Sequence, residues 1–178
     1  MTDSTNNNNP DLIKQDTAQN IAVKFGLIGG LIIVITSLLL FILNAGYDSW
    51  AKWIQTIILT IIIIVGIKKI STNNSYISFG TLFKGGMIIS VIIAVLTLLY
   101  FFIYVNFIDP DFINNLLEIS RKQMLEKGLS DEQIEKAISM SKSFMSPGIM
   151  AAISFCSSLI LGAFVSLISA AVFKKDKI

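Results

Sequence analysis

The chain has 178 residues, of which 53% are hydrophobic and only 15% are charged, and its formal net charge is +2. A soluble domain normally carries closer to a quarter charged residues, so this composition excludes a soluble globular enzyme, a disordered chain and a nucleic-acid-binding protein. The sequence has no histidine, which is the commonest metal ligand and the usual general base near neutral pH. Its single cysteine, Cys156, excludes an intrachain disulfide. We therefore expect a small multi-pass membrane protein that needs no cofactor and no metal.

The N-terminal segment is polar and contains consecutive asparagines at 6–9. It lacks the basic leader and the cleavage site of a secretory signal peptide. We expect residues 1–20 to form a disordered cytoplasmic tail and residues 21–178 to form a four-helix membrane domain, whose first span is an uncleaved anchor.

Four stretches of the chain carry no charge, and each predicts a membrane-spanning helix, because about 20 apolar helical residues cross the hydrocarbon layer of a bilayer. The second stretch is short. Extending it back to Trp50 lengthens it and places Trp50 and Trp53 at the interface, where tryptophan is enriched. The predicted spans are residues 24–44, 50–67, 85–108 and 147–173.

The connection between the second and third spans is aromatic and rich in glycine over residues 76–86. Its glycines do not have the spacing of a phosphate-binding loop. We expect a loop in the headgroup layer.

The segment 109–146 is predicted to form an amphipathic helical hairpin outside the membrane. Asp109 followed by Pro110 is typical of a helix start, Gly128 is typical of a helix end, and Ser130 with Gln133 indicates a capping box that opens a second helix. Two sets of side chains recur at helical spacing. They are Phe112, Ile113, Leu116, Leu117 and Met124 in the first helix and Ile134, Ala137, Ile138, Ser141, Phe144 and Met145 in the second.

Two interpretations of the methionines in this hairpin stay open. Met124, Met140 and Met145 could form an adaptable binding surface. The simpler interpretation is that they pack the hairpin onto itself or onto the lipid surface.

The placement of lysine predicts the topology. An even number of spans puts both termini and the connection between the second and third spans on one side, whereas the 44–52 loop has only Lys52. The rule that basic residues face the cytoplasm therefore predicts cytoplasmic termini and an extracytoplasmic hairpin. The basic residues that decide this are Lys24, Lys68, Lys69, Lys84, Lys174, Lys175 and Lys177.

Small residues recur every four positions in three of the spans, and such residues let membrane helices approach closely. They are Gly26 and Gly30 in the first span, Gly86, Ser90 and Ala94 in the third, and Ser154, Ser158, Gly162, Ser166 and Ala170 in the fourth. We call the last five the fourth-span ridge. Each four-residue step turns about 40° around a helix, so the ridge drifts about 160° and is expected to touch two neighbours.

Several of these segments resemble a known family. The residues ISFGTLFKGG at 77–86, the segment 107–150 with DPDF and FMSPG, and the closing lysines resemble the bacterial membrane family known as domain of unknown function 4199. The resemblance covers about residues 20–176. It implies a four-span inner-membrane protein of a Gram-negative bacterium, and it assigns no catalytic or binding residue.

These features favour a non-enzymatic inner-membrane protein that contacts the lipid bilayer and acts through helix packing, as a homo-oligomer or with a membrane protein partner. The alternative is a subunit of a small transporter or channel. Such a pathway usually requires ionisable groups within the membrane, and the predicted spans offer only polar side chains. Those are Gln55, Thr60, Thr97, Tyr104 and Asn106. A membrane enzyme is disfavoured because the sequence lacks histidine and clustered interfacial carboxylates. Asp109 and Asp111 could bind a cation from outside the membrane, but helix capping is the simpler explanation for Asp109.

Overall fold

The computed structural model describes the backbone of residues 10–43 and 45–176, and their side chains except at 10–16, 49 and 52. These residues form six α-helices, and the third continues into a π-helical turn at Tyr104–Ile108. The helices are α1 (Pro10–Ile42), α2 (Ser49–Thr72), α3 (Phe79–Ile103), α4 (Phe112–Glu126), α5 (Asp131–Phe144) and α6 (Pro147–Phe173). The prediction of an all-α chain is confirmed for the described residues, where extended pairing is limited to one isolated bridge between Ile77 and Lys175.

Four helices in the described residues are long and apolar enough to cross a membrane, as the charge-free stretches predict. They are Thr17–Ile42, Trp53–Thr72, Phe79–Ile108 and Pro147–Phe173. Three of them extend beyond the predicted spans. The second continues past the exposed Lys68 and Lys69 because Ile67 and Ile70, on the other face of α2, are fully buried.

The expected tail over residues 1–20 is wrong for residues 10–20, because α1 begins at Pro10. Proline is tolerated in the first turn of a helix, where its missing N–H has no intrahelical partner to lose. One turn apart further along α1, Ala18 and Ala22 are buried in the core. Residues 1–9 lie outside the described residues.

The expected loop over 76–86 is also wrong for most of its length, because α3 begins at Phe79. The backbone N–H of Thr81 donates to Ser78 Oγ over 3.3 Å, which places Ser78 as the N-cap. Leu82 in the first turn is fully buried, so the glycine-rich sequence continues the helix into the core.

Contacts divide the described residues into two compact units. The first comprises residues 10–43, 45–96 and 158–176, and the second comprises residues 97–157. The core of the first unit is built from branched side chains of α2 and α3. Ile63 and Ile67 of α2 and Leu82, Ile89 and Ile93 of α3 are at most 2% exposed.

The second unit contains the predicted helical hairpin, formed by α4 and α5. The capping box is confirmed: Ser130 N–H donates to Gln133 Oε1 over 3.0 Å, and Gln133 N–H donates to Ser130 Oγ over 3.4 Å. Gly128 ends α4 with a φ of 78°, in the left-handed region that glycine tolerates. The next residue, Leu129, donates its N–H to the carbonyl of Met124, which completes a Schellman motif.

Two details of the hairpin differ from the sequence prediction. The first helix begins at Phe112 rather than at Asp109, because the N–H of Asp109 closes the π-helical turn on the carbonyl of Tyr104 over 2.9 Å. In α5, Ile134 and Ile138 are buried as expected, whereas Phe144 is exposed.

Candidate functional site

Small residues bring α3 and α6 close together in the first unit. A β-carbon added at Gly162 of α6 would lie 2.5 Å from Ser90 Cβ of α3, and one added at Gly86 of α3 would lie 2.7 Å from Ser166 Cβ of α6. Separations this short are sterically forbidden for a real side chain. The contact is reciprocal, since a glycine of each helix faces a serine of the other. We call these four residues the glycine–serine crossing.

Branched residues of α2 cover this crossing. A β-carbon at Gly86 would also lie 2.7 Å from Ile67 Cδ1, and one at Gly162 would lie 3.8 Å from Ile63 Cδ1. Both isoleucines are fully buried. The glycine–serine crossing is therefore a contact of three helices.

The hydroxyl groups of the two serines of the crossing differ in their hydrogen bonding. Ser90 Oγ donates to the carbonyl of Gly86 over 2.9 Å, within α3. Ser166 Oγ is buried and has no hydrogen-bond partner among the described residues. An unpaired buried hydroxyl costs about 1–3 kcal/mol, so Ser166 stabilises the contact through its small size.

The other predicted packing residues of α3 and α6 divide by burial. Ala94 and Ala170 are buried at 2% and 0% exposure. Ser158 is half-buried and Ser154 is exposed. The fourth-span ridge is thus buried at its last three residues, and its exposure increases toward its first residue.

The two predicted glycines of α1 face large side chains rather than small ones. A β-carbon at Gly26 would lie 2.8 Å from Ile92 Cβ, and one at Gly30 would lie 3.0 Å from Leu96 Cβ. These glycines form notches in α1 that receive side chains of α3. At these two positions a side chain of α3 packs into the space that the glycine leaves, so the contact is between a side chain and a backbone.

Sequence reasoning missed further glycines with the same role, among them one in α1 and one in α2. A β-carbon at Gly29 of α1 would lie 2.7 Å from Ile62 Cγ2, and one at Gly66 of α2 would lie 2.5 Å from Ile89 Cδ1. A search for pairs of small residues four positions apart overlooks both, because each has only large residues at that spacing. The available signal was a glycine within a run of large apolar residues.

A lysine at the end of α6 joins this helix to the connection between α2 and α3. Lys175 Nζ donates to the carbonyls of Ser71 over 2.9 Å and of Asn74 over 3.0 Å. Its backbone exchanges two hydrogen bonds with Ile77, and Ser71 Oγ donates to the carbonyl of Phe173 over 2.7 Å. The ammonium group thus pairs with carbonyls at the C-terminal end of α2, where the helix dipole favours a positive charge. We call this arrangement the lysine clamp.

The described residues contain no group of three histidine, cysteine, aspartate or glutamate side chains that could hold a metal ion. Cys156 is free and exposed. The arrangement of these residues can hold helices together, and the residues named in the crossing and the clamp include no carboxylate or imidazole that could activate a serine as a nucleophile.

The fold and these contacts define a small helical protein with four helices long and apolar enough to cross a membrane. The family model described as Protein of unknown function (DUF4199) matches residues 24–175. The chain therefore belongs to this family, and the resemblance inferred from the sequence is confirmed. Comparison with curated proteins and with solved structures gives no match.

The glycine–serine crossing predicts the effect of one added methyl group. Gly162→Ala should lower stability by about 1–3 kcal/mol, the usual range for overpacking a tight contact, because Ser90 Cβ cannot move without α3. The measurement is thermal unfolding in a mild detergent. Gly148→Ala is the matched control in α6, since nothing lies within 4 Å of a β-carbon there. Equal melting temperatures for the two variants would contradict the close approach.

The lysine clamp predicts unequal effects for adjacent lysines. Lys175→Met removes the donor to two carbonyls and should cost about 1.5–3 kcal/mol, the range for a hydrogen bond to a charged group. Lys174 is exposed, and among the described residues its ion pair is with the nearby Asp176 over 3.1 Å, so Lys174→Met should change stability by less than about 1 kcal/mol. Thermal unfolding of both variants in the same detergent tests this. A larger loss for Lys174→Met would exclude the clamp.

Proposed function

We propose that this chain is a non-catalytic, multi-pass protein of the inner membrane that acts through helix packing and protein partners. The observation that carries this proposal is the glycine–serine crossing, where the helices meet without space for a ligand. Among the described residues of the four long helices, the buried polar side chains are serines at 71, 90, 166 and 169. An interior whose buried polar side chains are all serines favours a role in protein assembly over a role in catalysis.

The surface of α6 supports a role for partners. In α6, only 22% of the apolar stretch that could cross a membrane is buried within the chain, whereas the value is 28–33% for the other three candidate spans. Ile160 and Phe164 are among its exposed side chains. Such a face is suited to lipid, to a second copy of the chain or to another membrane protein.

A transporter or channel subunit remains the second candidate. Several of the polar side chains that could line a path are engaged in hydrogen bonds within the chain. Gln55 Nε2 donates to Ser37 Oγ over 2.9 Å, Thr60 Oγ1 donates to the carbonyl of Thr56, and Asn106 Nδ2 donates to the carbonyl of Phe102. These bonds favour structural roles, so we rank transport below assembly.

Native mass spectrometry after extraction in a mild detergent tests the proposal. We expect a species heavier than the 19.6 kDa chain, formed either by a second copy or by a distinct protein. The same preparation should retain no small molecule in stoichiometric amount. Monomeric chain without co-purifying protein in two different detergents would contradict the proposal.

The proposed topology follows from the exposed lysines. Lys24, Lys68, Lys69, Lys84 and Lys174 are exposed near one end of the long apolar helices, and basic residues favour the cytoplasmic side. Alkaline phosphatase, which is active only outside the cytoplasm, should be active when fused after Gly128 and silent when fused after Ile178. Green fluorescent protein at the same positions is the complementary control and should give the reverse pattern. Active phosphatase at residue 178 would overturn the assignment.

A further inference from the structure

The first turn of α4 packs back against the end of α3. The Phe112 ring lies 6.1 Å from the Phe101 ring and 5.5 Å from the Tyr104 ring, edge to face in both cases. Phe101 precedes Ile108 by seven residues, or about 10 Å along a helix. The candidate membrane span that begins with α3 continues through the π-helical turn to Ile108. Helix α4 therefore begins beside the end of this span.

The last turn of α5 is also held close to a long apolar helix. Helix α5 ends at Phe144, and α6 begins at Pro147. Two residues cannot separate the helix ends by more than about 10 Å, even when fully extended. Both ends of the α4–α5 hairpin are therefore tied to segments that are apolar enough to enter a membrane.

The side chains of α5 divide into an inner and an outer face. Ile134 and Ile138 are buried, whereas Met140 and Phe144 are each 64% exposed. Met140 and Phe144 are one turn apart and share a face. Lys142 is also exposed and lies about 160° around the helix from both. In the last turn of α5, the exposed residues thus have an apolar side and a charged side. One turn earlier, the exposed Lys136 shares the face of Met140, and its long side chain can place the ammonium group at the lipid headgroups.

We propose that the α4–α5 hairpin lies in the interfacial layer of the bilayer, with Met140 and Phe144 inserted among lipid chains. A lipid surface is the occupant because only two residues separate Phe144, on this face, from the start of α6 at Pro147. Interfacial helices bury an apolar face about 5–10 Å into the headgroup and acyl boundary while the charged face stays in water. This inference rests on the proposed insertion of α3 and α6 in the membrane, and it does not depend on which side the termini face.

Tryptophan fluorescence of the full chain in proteoliposomes tests this inference. The native tryptophans are first removed by Trp50→Phe and Trp53→Phe, and one reporter is then introduced as Phe144→Trp. The vesicles contain phosphatidylcholine with brominated acyl chains, which quench only a tryptophan in contact with them. Lys142→Trp is the matched control in the same turn of α5, and Ile160→Trp reports whether α6 is inserted.

The expected result is about twofold quenching at position 144, as for a side chain at the acyl boundary, with little quenching at position 142. Met140→Trp should behave like Phe144→Trp, so the test does not depend on one variant. Equal quenching at 142 and 144 would overturn the inference. So would a tryptophan at 144 that neither brominated lipid nor aqueous acrylamide quenches, since a protein would then cover the face. Loss of quenching at 160 would instead contradict membrane insertion of α6, which is a failure of the proposed function.

Discussion

The first unit depends on one steric constraint, the contact between α3 and α6 at the glycine–serine crossing. Lipid chains are as apolar as leucine, so no hydrophobic drive brings membrane helices together. Association relies on van der Waals contact, which is weak for each atom pair and falls steeply with separation. Gly86 and Gly162 increase this contact because they remove the side chains that would hold the helices apart. The isoleucines at 63 and 67 then pack over the crossing and add α2 to it.

The ends of the helices require a different kind of stabilisation. The last carbonyls and first N–H groups of a helix have no intrahelical partner, and leaving them unpaired in an apolar layer costs several kcal/mol. Lys175 supplies three donors at the C-terminal end of α2 and bonds to two carbonyls there. Ser78 and Ser130 accept N–H groups in the first turns of α3 and α5. Small residues therefore set the distance between helices, while polar side chains fix where the helices end.

The sequence predicts the four long helices well because charge and length alone define a membrane span. It predicts their ends poorly, since a charged residue does not stop a helix whose other face is still packed. Exposed Lys68 and Lys69 share α2 with the buried Ile70, and exposed Lys84 shares α3 with the buried Leu82. The start of α1 was missed for a similar reason, since the buried Ala18 stands between the polar residues Thr17 and Gln19.

The sequence also identifies small residues without identifying what they face. Gly26 and Gly162 both belong to four-residue patterns, yet the first receives Ile92 and the second meets Ser90. Spacing along one helix contains no information about the helix opposite. The local signals of the hairpin were more reliable, because the capping box at Ser130 and the left-handed Gly128 depend only on residues a few positions apart.

Site-directed cross-linking in native membranes tests the glycine–serine crossing most directly. In a Cys156→Ser background, the pair Ser90→Cys and Ser166→Cys keeps both glycines and places two thiols within one helical turn of the contact. Close approach of α3 and α6 predicts rapid cross-linking of this pair by a short bifunctional thiol-reactive reagent. The control pair, Ser90→Cys with Ile160→Cys, should remain unlinked because Ile160 is 71% exposed on the outer face of α6. Equal rates for the two pairs, or no cross-link at Ser90 and Ser166, would contradict the close approach of α3 and α6.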